Sequence, residues 1–241
     1  MSESVAWVVG GGSGIGAACV SSLAELGYRV AVSGRRADRL AAVAAAVPGA
    51  VAIPADVSDD ESMAAAVERI ERELGPVAVL VYSAGTNVTE RFWRTSDATA
   101  LARVVDVNLN GAIRAVQGVV GGMRERGDGL ILLISSWAGW RFAPGVGVGY
   151  SASKTALGAV AETINAQERL NGIRATHLCP GEVKTEILYT RPVVPTEEAQ
   201  ALMLTPEDVG EAVAWIAARP ARVCINELVI TPTTNTSYSA S

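Results

Sequence analysis

This chain has a single histidine, His177, among 241 residues. A metal centre built from several histidines is therefore excluded, and a Ser-His-Asp hydrolase would have to use His177 itself. His177 lies in the apolar run Arg174-Ala175-Thr176-His177-Leu178-Cys179. Such a run reads as a buried strand, so a hydrogen-bonded core imidazole is expected and no metal site. The three cysteines, Cys19, Cys179 and Cys224, are odd in number and far apart. They fit small core residues in a reducing compartment better than a disulfide framework. No apolar run reaches the roughly 18 residues of a membrane span. Charge of neither sign accumulates: 20 Lys and Arg stand against 25 Asp and Glu, scattered along the chain. That excludes a basic nucleic-acid face. The N-terminus enters Val5-Ala6-Trp7-Val8-Val9 without a basic leader, which predicts a soluble, cytoplasmic protein.

What is present is a core. Hydrophobic residues make up 49% of the chain and charged residues 19%, a globular balance. The length suits one domain over 1–241. Short apolar runs at 5–9, 28–33, 50–54, 77–82, 129–135, 173–179 and 223–230 do not alternate with polar residues, as expected for strands buried on both faces. Helical patterns lie between them, at 14–26, 37–46, 59–74, 98–126, 148–171 and 206–218. Ser58, Asp97 and Thr205 are expected N-caps. The alternation predicts an α/β fold: a Rossmann-type, doubly wound parallel sheet of seven strands with helices on both faces. The irregular stretch 184–204 follows the C-terminal end of a strand, where such sheets bind ligands, and is a candidate substrate lid. The Thr/Ser-rich tail 231–241 is expected to carry little order.

The first strand runs into Gly10-Gly11-Gly12-Ser13-Gly14-Ile15-Gly16 and then a helix. Glycines in that context let backbone N–H groups approach a pyrophosphate at the helix N-terminus. A ribose 2′-OH is best held by a carboxylate at the end of the second strand. Here that position reads Val32-Ser33-Gly34-Arg35-Arg36, without an acid. A guanidinium pairs with a 2′-phosphate that a carboxylate would repel. The sequence therefore favours NADP(H) over NAD(H), with Arg35 and Arg36 on the phosphate and Ser33 donating a hydrogen bond.

Tyr150 and Lys154 stand four residues apart in Gly149-Tyr150-Ser151-Ala152-Ser153-Lys154, downstream of Ser135-Ser136. On a helix they share a face. A tyrosine ordinarily loses its proton near pH ~10, and an adjacent ammonium is expected to lower that value. Such a phenol could exchange a proton near neutral pH, as carbonyl reduction and alcohol oxidation require. Taken alone, Ser136 also reads as a strand-end turn residue and Asn108 as a polar group inside a helix.

With these motifs in order, the chain resembles the short-chain dehydrogenase/reductase family over essentially its whole length. Gly10, Gly14 and Gly16 match the family's glycine loop, with Val9 where threonine is usual. Asp56-Val57 matches the pair that holds the adenine. Ser83-Ala84-Gly85 matches the Asn-Ala-Gly motif, with Ser83 replacing asparagine. Pro180-Gly181-Glu182-Val183-Lys184-Thr185 matches the segment that contacts the nicotinamide. The resemblance implies a catalytic set of Asn108, Ser136, Tyr150 and Lys154. Ser136 and Tyr150 would converge on the carbonyl oxygen, Lys154 would hold the nicotinamide ribose, and Asn108 would order a water relaying protons to Lys154. Ser13, Ile15, Ala84, Gly85, Pro180, Gly181, Val183 and Thr185 would border the cofactor. The interval from Ser136 to Tyr150 is one residue longer than usual, which is expected to alter the pocket wall near Gly145–Gly149. A homo-oligomer is implied as well, dimeric or tetrameric, packing its two long helices across a dyad.

The substrate side is framed by Trp137, Trp140 and Phe142, three aromatics in six residues of a chain that is only 5% aromatic. Glu182, Ile187, Leu188 and Tyr189 border the candidate lid. Together they suggest a ketone or secondary alcohol that is apolar or aryl-bearing, with Glu182 as an anchor for an amine. The leading expectation is an NADP(H)-dependent ketone reductase. An NAD-dependent alcohol dehydrogenase and a non-catalytic NADP(H)-binding regulator are the alternatives.

Overall fold

The computed structural model describes residues 4–141, 143 and 145–235. Phe142 and the end of the tail lie outside them. Seven strands form one parallel sheet: β1 Val5–Val9, β2 Arg29–Ser33, β3 Ala50–Ala52, β4 Val77–Tyr82, β5 Gly129–Ile134, β6 Ile173–Pro180 and β7 Glu227–Ile230. Their order across the sheet is β3-β2-β1-β4-β5-β6-β7. The direction of winding reverses between β1 and β4, which opens a crevice at the C-terminal strand ends.

The helices are α1 Gly14–Glu25, α2 Ala37–Ala46, α3 Asp60–Glu73, α4 Ala98–Val105, α5 Gly111–Arg126, α6 Trp137–Trp140, α7 Val148–Glu168, α8 Glu197–Gln200 and α9 Pro206–Ala217. Successive strand residues point to opposite faces. Val5, Trp7 and Val9 of β1 thus join the core that includes Ile70, Val119, Leu157 and Ala161 of α3, α5 and α7. Ala6 and Val8 join the opposite core with Val20, Leu23, Val213 and Ile216 of α1 and α9. Burying each large aliphatic side chain contributes about 1.5–3 kcal/mol before entropy is counted.

Several expected boundaries shift for local reasons. The strand expected over 50–54 ends at Ala52, ahead of Pro54, which has no N–H to give the ladder. The strand expected over 223–230 begins only at Glu227, where pairing with His177 of β6 starts. Cys224, ahead of it, is exposed, unlike the buried Cys19 and Cys179. Asp59, not Ser58, caps α3, because the Asp56 carboxylate takes both the N–H and the hydroxyl of Ser58 (3.0 and 2.6 Å). Thr205 caps α9 in a reciprocal pair with Asp208, with Pro206 opening the helix, and Asp97 caps α4. The long helix over 98–126 is interrupted by a π-helical turn, Asp106–Asn110. Such turns displace a side chain from the regular helical face, and here the displaced stretch carries Asn108.

Candidate active site

The glycine loop is folded against the sheet by two amides, Gly10 N and Gly11 N, donating to the Ser33 carbonyl (2.8 and 3.1 Å). Gly10 has φ +85°, and a Cβ there would lie 2.4 Å from the Ala84 nitrogen. At Gly16 a Cβ would lie 2.1 Å from the Gly10 carbonyl oxygen, so α1 starts directly against the loop. A crevice of about 460 Å³ opens above it. Gly10, Ser13, Gly14 and Ile15 form its floor, and Arg35 and Arg36 stand at the end of β2. Val57, Ala84, Gly85, Lys154 and Thr185 complete the walls. Size and shape suit a dinucleotide laid across the switch point.

Three expected contacts fall elsewhere. Ser33 is fully buried, and its hydroxyl accepts the Trp7 indole N–H at 2.9 Å, so it stands beneath the crevice and offers nothing to a phosphate there. The Asp56 carboxylate is turned onto Ser58, and hydrogen bonds from that residue hold it below the usual carboxylate range. Gly16 supports the loop from below. Arg36 donates to Ser13 Oγ (3.2 Å) and pairs with Glu186 at 3.4 Å, a carboxylate that also meets Arg39.

A second cavity, of about 530 Å³, adjoins the first. The two share Ile15, Ser135, Tyr150, Thr185, Ile187 and Thr190. Tyr150 therefore stands where they meet, and the nearby Ser136 hydroxyl acts on its phenol. Ser136 follows β5 and caps α6, its Oγ accepting from the Ala138 amide at 3.2 Å. Lys154, one turn along α7 from Tyr150, is buried, and its ammonium donates to the Ile134 carbonyl at 2.7 Å. Gly85 leaves it room: a Cβ there would lie 3.3 Å from Nζ.

Electrostatics differ from the simple picture of a phenol acidified by its lysine. Burial pushes the Tyr150 phenol above its ordinary value, opposed by the Ser136 hydrogen bond and by Arg91 and Arg191. Lys154 sits 5.9 Å from the ring centre and donates to the Ile134 carbonyl; the groups that counter the loss of water are Ser136, Arg91 and Arg191. Burial also pulls Lys154 itself down to about 8.

Asn108 lies wholly beneath the surface. Its Oδ1 accepts the Thr86 amide at 2.8 Å, and its Nδ2 donates to the Thr86 carbonyl (3.0 Å) and Ser153 Oγ (3.1 Å). Ser153 in turn donates to the Tyr150 carbonyl at 2.9 Å. The π turn thus ties the loop after β4 to the turn of α7 that bears Tyr150.

Pro180, Gly181 and Val183 line the second cavity, as do Trp137, Ile187 and Leu188. Trp140 packs edge-on against Trp137, centroids 5.1 Å apart, and lies outside the lining. Phe142 lies outside the described residues. Tyr189 is 70% exposed and is not part of the cavity lining. Glu182 does line the cavity but is ion-paired with Arg191 at 2.8 Å, which replaces the simple amine anchor by a neutral pair.

Sequence reading overlooked Arg91, a buried cation in the same wall that no local motif marks. It also overlooked that β7 brings Glu227 within 3.2 Å of His177. With Cys179 these two put their donor atoms within 4.8 Å of one another, a metal-sized grouping. The Cys179 thiol there is pushed up to about 12 by burial, which disfavours the thiolate a metal needs. His177 is otherwise a hydrogen-bonded core imidazole, as expected.

Comparison with known proteins agrees with this architecture. The family model described as short chain dehydrogenase matches residues 4–192. Farnesol dehydrogenase of Aedes aegypti is 36% identical over 238 residues, covering 95% of each chain. A glycine betaine reductase of Emericella nidulans is 34% identical over 241 residues, 96% of this chain, which spans only 19% of that longer protein. The X-ray structure of an alcohol dehydrogenase from the archaeon Thermococcus sibiricus, complexed with 5-hydroxy-NADP, superimposes with a TM-score of 0.85 at 27% identity, covering 96% of this chain and 97% of the other. The parallel sheet, the glycine loop at its switch point and these matches lead to one conclusion: the chain belongs to the short-chain dehydrogenase family, oxidoreductases with a nicotinamide-dinucleotide-binding Rossmann fold.

Proposed function

We propose that the protein is an NADP(H)-dependent carbonyl reductase acting on a small ketone. The observation that carries this reading is the placement of Tyr150 where the dinucleotide crevice meets the second cavity, with Ser136 in the wall of that cavity. A bound cofactor supplies the hydride in reduction or takes it up in oxidation. The chain's own residues do the rest. Ser136 and Tyr150 bind the carbonyl oxygen and stabilise the charge that grows on it. Tyr150, its phenol pushed up by burial, keeps its proton at neutral pH and delivers it to the nascent alkoxide in reduction. Lys154, in the wall of the dinucleotide crevice, holds the ribose hydroxyls of the cofactor. Asn108 is a positioning residue, acting on Tyr150 through Ser153 and on the crevice wall through Thr86.

Arg35 and Arg36 support NADP(H), since no carboxylate ends β2. One observation favours a second reading, NAD(H): Glu186 already neutralises part of that charge. Trp137 in the cavity wall supports an apolar or aryl-bearing substrate. Segment 184–204, which carries Ile187 and Leu188 into the wall, acts as a lid over it. Three free cysteines suit the cytoplasm. The exposed Ile113 and Val148, on α5 and α7, suit a homo-oligomer packed through those helices. Among the described residues no helix is long and apolar enough to cross a membrane.

The test is NADPH consumption by the purified protein against a panel of aryl, alkyl and amino ketones, with Tyr150→Phe in parallel. The expected outcome is turnover that falls by about 10²-fold or more in the variant, the scale of a lost general acid. Tight NADPH binding with no turnover of any ketone would replace the reductase by a cofactor-sensing regulator.

A further inference from the structure

Resting on the carbonyl-reductase reading above, we infer that the substrate carries a carboxylate held by Arg91, so that the enzyme interconverts small oxo acids and hydroxy acids. Arg91 is 8% exposed and lines the same cavity as Tyr150. Its Nε donates to the Val88 carbonyl at 2.6 Å, and its Nη2 donates to the Thr190 carbonyl (2.7 Å) and Thr190 Oγ1 (2.9 Å). All three partners are neutral. The acid lining the cavity, Glu182, is engaged by Arg191 instead. The wall therefore holds two guanidinium groups against one carboxylate, and the buried one has no counter-ion among the described residues.

An arginine does not escape this by deprotonating. A buried charge without a partner is costly, and proteins keep one where a ligand supplies the opposite charge. Burial presses the Arg91 pKa downward, and the neighbouring Arg191 adds to it. The three hydrogen bonds fix the plane of the guanidinium and use Nε and Nη2, which leaves the two N–H groups of Nη1 to donate to a carboxylate oxygen. They also place the cation within electrostatic range of the Tyr150 phenol, so an anion bound at Arg91 lies in the same cavity as the reacting oxygen. A cavity of about 530 Å³ holds a small acid with room for an apolar chain against Trp137.

The experiment measures NADPH oxidation with short oxo acids, each beside its methyl ester and the matching methyl ketone, in wild type, Arg91→Gln and Arg91→Lys. Wild type should prefer acid to ester by about tenfold or more, the scale of a charge-assisted hydrogen bond. Arg91→Gln should erase that preference, chiefly through KM, and Arg91→Lys should restore part of it. Equal losses for acid and ester in Arg91→Gln would make Arg91 merely a brace for Thr190 and overturn the inference. So would a wild-type preference for the ester, or for a phosphorylated hydroxyketone over the acid. Saturation-transfer NMR of the matching hydroxy acids on NADPH-loaded protein separates this inference from the reductase reading. Binding that is lost in Arg91→Gln supports the carboxylate site even if no ketone turns over, whereas no binding to wild type overturns it.

Discussion

Glu186 lines the dinucleotide crevice and meets one of its two arginines, Arg36. It pairs with Arg36 at 3.4 Å and with Arg39 more closely, and hydrogen bonds from Arg39 hold it below the ordinary carboxylate range. A 2′-phosphate arriving at Arg36 has to share that guanidinium with Glu186 or repel it. Both partners of the Arg36 pair are about half exposed (52% each), so solvent and salt screen the competition and its effect is modest. Glu186→Gln is therefore expected to tighten NADPH binding by about two- to fivefold and to leave NADH nearly unchanged. Cofactor fluorescence titrations at low and high salt measure this. The NADPH gain should shrink at high salt. Equal tightening of both cofactors would mean that Glu186 acts on the crevice wall and not on the phosphate.

Among the helices, α5 and α7 are held together at their far ends by one ion pair. Arg124 grips Glu168 with Nε at 2.8 Å and Nη2 at 2.6 Å, and Asn171 donates to the same carboxylate at 2.9 Å. These contacts, Arg124 first, lower the Glu168 pKa to about 2. A carboxylate lowered on folding contributes stability that is fully present above its unfolded value and is lost as pH falls toward its folded one. The window here runs from about 4.5 down to about 2. Glu168→Gln should lower the urea midpoint at pH 7 and flatten its decline between pH 4.5 and 2. Parallel declines in wild type and variant would assign the acid sensitivity to other groups. The two helices were legible in the sequence, as were all seven strands, because apolar periodicity records which faces are buried. Which loops meet was not legible. Nothing near Ser33 announces the Trp7 indole that claims its hydroxyl, nothing near Glu182 announces Arg191, and Arg91 reaches Thr190 across 99 positions of chain. The π turn at Asn108 was hidden as well, since 98–126 keeps helical periodicity through it. The motifs at Gly10–Gly16 and Tyr150–Lys154 were readable because each is contiguous and needs no distant partner to be recognised.

Across the whole molecule, the dinucleotide crevice is walled by segments that the sheet brings together from distant parts of the chain. The loop after β1, the end of β2, Val57, Ala84–Gly85, Lys154 and Thr185 all face it. Between them, these segments touch both cores. A ligand that binds this crevice only when it is folded must therefore raise the stability of the entire domain, by RT ln(1 + [L]/Kd). At a concentration of 100 times Kd that is about 2.7 kcal/mol. At roughly 2–4 °C per kcal/mol for a domain of this size, NADPH should raise Tm by about 5–11 °C. If Arg35 and Arg36 favour the 2′-phosphate by tenfold in Kd, NADH at the same concentration should fall short by about 1.4 kcal/mol, or roughly 3–6 °C. Arg35→Asp should narrow or invert that gap, because a carboxylate there repels the phosphate and can accept from a ribose hydroxyl. Thermal unfolding followed by circular dichroism, with each cofactor and each protein, reads all of these at once. Equal shifts for NADPH and NADH in wild type would remove the preference for NADP(H) while leaving the crevice as the dinucleotide site. No shift with either cofactor would remove the crevice itself from the account of function.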